Sequence, residues 1–174
     1  CSSDYRHFIR VDRRKSDLQL TVSETQTPGI PQIYTDGSFS GKNRQSGVAG
    51  FIHYPDGARE VFAQSFFNGS SNLMELLAVL EGVKRLHNEE QIQVNTDSRF
   101  VIRGLAQWVH FWKLNNWQTA YGREVRFAQY WQEIDALCEG KFIEFKWIKA
   151  HAGHPQQNFC HKLARMQANR NSQF

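Results

Sequence analysis

Cysteine is scarce in this chain: Cys1, Cys138 and Cys160 form an odd, unclustered set in 174 residues. That excludes a disulfide framework, and without a Cys-x-x-Cys pair it also excludes the common structural zinc arrangement. A reducing compartment is the expectation. No apolar run approaches the roughly 18 residues that a membrane span needs, and no charged head followed by an apolar stretch opens the chain. A cytoplasmic setting with no membrane partner is therefore expected; a monomer is expected as well. Internal repeats are absent, as are low-complexity tracts outside one polar linker. The chain begins with Cys1 rather than Met, which leads to the expectation of a fragment or processed form.

What is present is a basic balance. Lys plus Arg number 21 against 17 Asp plus Glu, for a net charge of +4 and a pI near 9.1. A polyanionic partner fits that balance without being required by it. Length suits one domain with a short appendage. Residues 1–30 are expected to be a basic arm and linker, with Arg6, Arg10, Arg13, Arg14 and Lys15 clustered ahead of a polar, proline-containing stretch. This arm reads either as a nucleic-acid-contacting tail or as a solvated remnant of a neighbouring domain. Ile9, Val11, Leu18, Leu20 and Val22 alternate, so part of it can pair as an extra strand.

Residues 31–171 read as the folded domain. Strands are expected at Ile33 to Asp36, Val48 to Tyr54 and Glu60 to Phe67, joined by short turns and hence antiparallel. Ser70-Ser71-Asn72 supplies N-cap chemistry for a helix reaching about His87, and Gln91 to Asp97 is a further strand. A short helix follows to about Ala106, then an aromatic and basic segment and a helix from Val125 to Cys138. The strand Phe142 to Ile148 and a last helix from Gln157 to Asn169 complete an α/β order with one mixed sheet.

Two strands end in an aspartate, Asp36 and Asp97, and Glu75 lies on the helix between them. Asp36-Gly37 alone reads as a hairpin turn. Three carboxylates from three elements can nevertheless converge at the carboxyl ends of strands, where open-sheet sites gather. Packed without cations they would raise one another's pKa. Hard divalent ions with oxygen ligands relieve this and keep waters for a phosphate substrate. His151, His154, Cys160 and His161 invite a zinc reading, but no second ligand pair lies across a connector. Asp36-Gly-Ser and Asp97-Ser-Arg have the wrong order for an aspartic protease.

Five blocks carry a resemblance: Tyr34-Thr-Asp36-Gly-Ser38, Asn72-Leu-Met-Glu75-Leu76, Thr96-Asp97-Ser98, Gln107-Trp108-Val-His-Phe-Trp112-Lys113 with Trp117, and His151-Ala-Gly-His154-Pro155. Together, and in this order, they resemble the type 1 ribonuclease H family over about residues 31 to 170. The resemblance implies a ribonuclease H-like fold, a five-stranded sheet with its first three strands antiparallel and helices on both faces. It implies hydrolysis of the RNA strand of an RNA/DNA hybrid with two Mg²⁺ or Mn²⁺ ions. It assigns Asp36, Glu75 and Asp97 as metal-holding catalytic residues and His151 to proton movement or product release. Trp108, Trp112, Lys113 and Trp117 match the handle for the DNA strand. Ser70 falls where a threonine usually grips a DNA phosphate, and Asn72 where an asparagine meets the hybrid.

One departure stands out: the family's fourth carboxylate lies ten positions after the loop histidine, and here that position is His161. The expectation is a catalytic metal ligand of imidazole type, which suits softer ions than Mg²⁺. The handle is also less basic than usual, with Leu114, Asn115, Asn116 and Gln118 in it. Two alternatives stand beside the enzyme: a catalytically weakened nucleic-acid-binding domain, and the nuclease end of a larger polymerase or fusion protein.

Overall fold

The computed structural model describes residues 7–14, 19–40, 42, 44–148 and 155–169. Alternating β-branched and aromatic residues form β1 (Phe8–Asp12), β2 (Gln19–Ser23), β3 (Gln32–Ser40), β4 (Gln45–His53) and β5 (Arg59–Phe67). After α1 (Ser71–Arg85) come β6 (Gln91–Thr96), α2 (Arg99–Arg103), a π-helical turn over Gly104–Trp108, α3 (Val109–Leu114), α4 (Ala128–Cys138), β7 (Phe142–Trp147) and α5 (Pro155–Asn169). The fold is of the ribonuclease H-like α/β kind that the blocks imply. Strands β3, β4 and β5 form the expected antiparallel meander, and β6 pairs in parallel with both β3 and β7.

The sheet has seven strands, not five, in the order β2-β1-β7-β6-β3-β4-β5. The two additional strands come from the segment expected to be an arm. β1 lies antiparallel to β7, with Ile9 opposite Phe145 and Val11 opposite Ile143, and β2 closes the hairpin on its outer side. The reason is physical: β7 would otherwise present a row of unpaired backbone groups. The alternation of Ile9 and Val11 places apolar side chains on the face that Ile143 and Phe145 already use. Polar bonds lock the register. Glu144 is fully buried and accepts from Arg10 Nε at 3.0 Å, Thr27 Oγ1 at 2.9 Å and Gln93 Nε2 at 2.7 Å. Arg13 pairs with Asp135 at 2.9 Å, and Arg14 with Asp12 at 2.9 Å. Three of the arm's arginines are thus engaged by carboxylates of the chain itself; Arg6 and Lys15 lie outside the described residues.

Several boundaries also moved: β4 begins at Gln45, not Val48, and the helix expected to end about Ala106 runs on through the π-helical turn and α3 to Leu114. β3 continues through Ser40, so Asp36 sits within its strand and not at the end. α4 begins at Ala128, three residues later than the apolar stripe suggests, because Phe127 adopts a left-handed φ of 61°. Val125 and Trp131 are nonetheless buried as the stripe requires. The core lies between the sheet and α1, α2 and α4, built on Ile33, Ile52, Leu76, Val83, Ile92, Val94, Trp131 and Phe145. Among the described residues, no helix is long and apolar enough to cross a membrane.

Candidate active site

β3 and β6 pair only over Gln32–Tyr34 and Gln93–Asn95, then separate. From this point the chain runs through β4 and β5 on one side and reaches β7 on the other, which makes the gap a switch point of the sheet. Asp36 and Asp97 flank it. Glu75 enters from α1, whose N-terminus is capped by Ser70 accepting from the Leu73 amide at 3.2 Å. Gly37 lets α1 come this close: a Cβ there would meet Met74 C at 2.5 Å and Glu75 N at 2.7 Å. One carboxylate oxygen from each of Asp36, Glu75 and Asp97 lies within 4.8 Å of the others, and among the described residues this is the group able to hold a metal ion.

Asp36 is 2% exposed. Burial, followed by the charges of Asp36 and Asp97, pushes Glu75 well above the ordinary carboxylate range, while the Gly37 amide pulls the other way. Burial and then Asp36 raise Asp97 to about 6, against the opposing effects of its own backbone and His161. Glu75 Oε2 is buried with no hydrogen-bond partner among the described residues. A crowded, acceptor-only oxygen cluster with an orphaned carboxylate oxygen fits a hard divalent cation, which supplies the missing positive charge.

His161 reaches the same point from the opposite face. α5 lies along β3, with Gln157 Nε2 donating to Thr35 O at 3.0 Å and Cys160 Sγ 3.4 Å from Tyr34 O. One turn on from Gln157, His161 Nδ1 lies 2.7 Å from Asp36 Oδ2. The imidazole is 39% exposed at its side chain, so it closes the solvent side of the buried aspartate. His151 and His154 lie outside the described residues.

Ser70 is half-buried with its oxygen engaged in the cap, and Asn72 is exposed beside it. The handle forms an aromatic ladder: the Trp108, Trp112 and Trp117 rings follow at 5.9 and 6.4 Å, and Trp112 leans on the fully buried Trp131 at 5.5 Å. Lys113 is exposed and shares Asp135 with the hairpin, at 3.2 Å. Three contributors escape a motif-based reading. They are Gly37, whose neighbour Asp36 draws the attention; Gln157, which anchors α5; and Trp147, which reads as core. Trp147 is only half-buried, and its indole donates to Asp97 O at 2.9 Å. The single cue to Gly37 was a glycine inside a strand pattern, which signals a close backbone approach.

The RNase H family matches residues 30–169. A ribonuclease H of Yersinia pestis (strain Pestoides F) is 34% identical over 138 residues, covering 79% of this chain and 89% of the relative. The crystal structure of LC9-RNase H1, described as a type 1 RNase H with the type 2 active-site motif, superposes with a TM-score of 0.71 at 27% identity, covering 83% of this chain and 75% of that one. The foamy viral protease-reverse transcriptase in complex with an RNA/DNA hybrid is similar in fold, with a TM-score of 0.70 at 18% identity over 85% of this chain and 22% of that one. With the carboxylate cluster at the sheet's switch point and the family matched along nearly the whole chain from residue 30, this protein belongs to the ribonuclease H family.

Proposed function

We propose that this chain cuts the RNA strand of RNA/DNA hybrids by two-metal-ion catalysis, using Asp36, Glu75 and Asp97 to hold Mg²⁺ or Mn²⁺. The observation that carries the reading is the convergence of three carboxylates within 4.8 Å in a ribonuclease H chain. When bound, the ions supply an activated water and neutralise charge on the scissile phosphate. Asp36, central and buried, would be the ligand shared by the ions, with Glu75 and Asp97 as the further carboxylates holding them. Trp147 fixes the Asp97 backbone through its indole hydrogen bond. His161 orients Asp36 through its 2.7 Å contact and would add an imidazole ligand beside the three-carboxylate group, which does not itself include it, with His151 assisting proton movement from its loop.

Residues 31–171 carry the catalysis. Trp108, Trp112, Lys113 and Trp117 take the DNA strand, with Ser70 and Asn72 on the hybrid beside α1. Buried free thiols at Cys138 and Cys160 support a cytoplasmic setting, and a monomer suffices because the carboxylates all come from one chain.

The test is cleavage of a labelled hybrid by the wild-type chain. Product is expected with Mg²⁺ or Mn²⁺, none with chelator, and none from double-stranded DNA; binding without cleavage under either metal sinks the enzyme reading. His161 is tested by its alanine and aspartate variants. The alanine variant is expected to lose about tenfold to a hundredfold in rate, the size of a lost positioning contact. The aspartate variant is expected to regain activity and to shift the Mn²⁺-to-Mg²⁺ rate ratio toward Mg²⁺. An alanine variant as fast as wild type with both ions removes His161 from the site.

A further inference from the structure

The hairpin that enlarges the sheet also builds a groove. Between β1, β2, α2 and the end of β7 lies a cavity of about 390 Å³ with Ile9, Val22, Arg99, Ile102, Arg103 and Trp147 in its wall. No acidic side chain among the described residues lines it, although Glu24 lies 3.8 Å from the wall residue His7. Arg99 stacks over the Trp147 ring at 4.0 Å, Val22 is 62% exposed, and Arg103 is exposed with no hydrogen bond or ion pair among the described residues. By contrast Arg10, Arg13 and Arg14, on or beside β1, are committed to Glu144, Asp135 and Asp12.

The groove adjoins the backbone of Asp97. Arg99 follows Asp97 by two residues, and Trp147 reaches across to bond the Asp97 carbonyl. An aromatic face with an arginine stacked on it and a further cation at the rim is the combination that binds single-stranded nucleic acid, by base stacking and phosphate attraction. The cavity has room for about one nucleotide and falls at the small end of ordinary ligand pockets.

We propose that this groove takes an unpaired extension of the RNA strand beyond the hybrid. RNA is the strand assigned because the groove opens beside Asp97, which in the reading above holds an ion on the cleaved strand. The inference rests on that reading. It adds a subsite that depends on β1 and β2, both of which lie before the family's matched span.

The experiment is fluorescence anisotropy in the Asp36→Asn background, with a blunt RNA/DNA hybrid and the same hybrid carrying a short single-stranded RNA or DNA extension at either end. An RNA extension at one end is expected to tighten Kd roughly fivefold or more, the gain of stacking one base. Arg103→Gln and Val22→Asp, both exposed changes, are expected to abolish that gain while leaving the blunt-hybrid Kd within about twofold. Circular dichroism confirms that both variants are folded. No gain from RNA at either end, an equal gain from DNA, or a gain that survives both substitutions overturns the subsite. Failure of the catalytic reading shows separately, as a wild-type chain that does not cleave the blunt hybrid.

Discussion

Asp36→Asn lowers the rate of hybrid cleavage by about three orders of magnitude or more, because losing a shared ligand removes several kcal/mol of transition-state stabilisation. The amide keeps the shape and one oxygen acceptor but removes the charge that the proposed pair of ions would need. Asp36 is 2% exposed and lies within 4.8 Å of both other carboxylates, so water and neighbouring groups have no route to replace it. Single-turnover cleavage with saturating Mg²⁺ or Mn²⁺ measures the loss. A rate within tenfold of wild type would contradict the assignment of Asp36 as shared ligand.

The same substitution raises the stability of the metal-free fold. Glu75 and Asp97 keep their protons to higher pH in the folded state than in the unfolded chain, Asp97 to about 6, and the charge of Asp36 contributes to both shifts. A carboxylate with a raised folded-state pKa binds more protons when folded. Metal-free stability therefore falls as pH rises from about 4, the unfolded carboxylate value, through about 6 and beyond. In the Asp36→Asn variant the fall is shallower, and at pH 7 in chelator its Tm is expected to exceed that of the wild type. A steeper fall in the variant would show that the cluster does not repel itself. The carboxylate cluster is thus a locus of stored electrostatic repulsion, which bound cations would convert into attraction.

Gly37→Ala is expected to cost about 1–3 kcal/mol of stability, the range for overpacking a tight contact. The added methyl would meet the backbone of α1 at Met74 and Glu75, which cannot swing aside as a long side chain can. α1 must shift, and Glu75 moves with it away from Asp36. A displacement near 1 Å lowers the cleavage rate by about a hundredfold. The control is Gly57→Ala, where a φ of 91° makes alanine strained but nothing lies within 4 Å. It is expected to lower stability by about 1 kcal/mol through backbone strain and to leave cleavage per folded molecule unchanged. If the two variants lose activity in proportion to stability alone, Gly37 does not set the spacing of Asp36 and Glu75.

The carboxylates were legible because each sits in a local signature: Asp36 and Asp97 follow apolar strand runs, and Glu75 falls soon after a serine cap. Trp131 lies at helical spacing from Ala128 and Asp135 and is fully buried. The aromatic and basic segment was legible as a surface feature, yet the partnership of Lys113 with Asp135 was not, because Asp135 belongs to a helix 22 positions on. Trp147 shares the apolar face of β7 with Phe145 and packs against the core, while its indole also turns to Asp97 O, a bond that no local pattern announces.

The amino-acid order by itself determined most elements of residues 31–171 and singled out the three carboxylates, since period, capping and turn chemistry act over a few neighbouring residues. It also carried the family, through blocks whose order survives without any knowledge of contacts. The tertiary structure alone decided four matters. It paired the hairpin with the bare edge of β7, and it neutralised Arg10, Arg13 and Arg14 on internal carboxylates. It brought the backbone of α1 onto Gly37, and it set His161 against Asp36 across 125 positions of chain. Each depends on which distant surface a segment meets, and burial, edge pairing and charge desolvation take effect only when those surfaces come together.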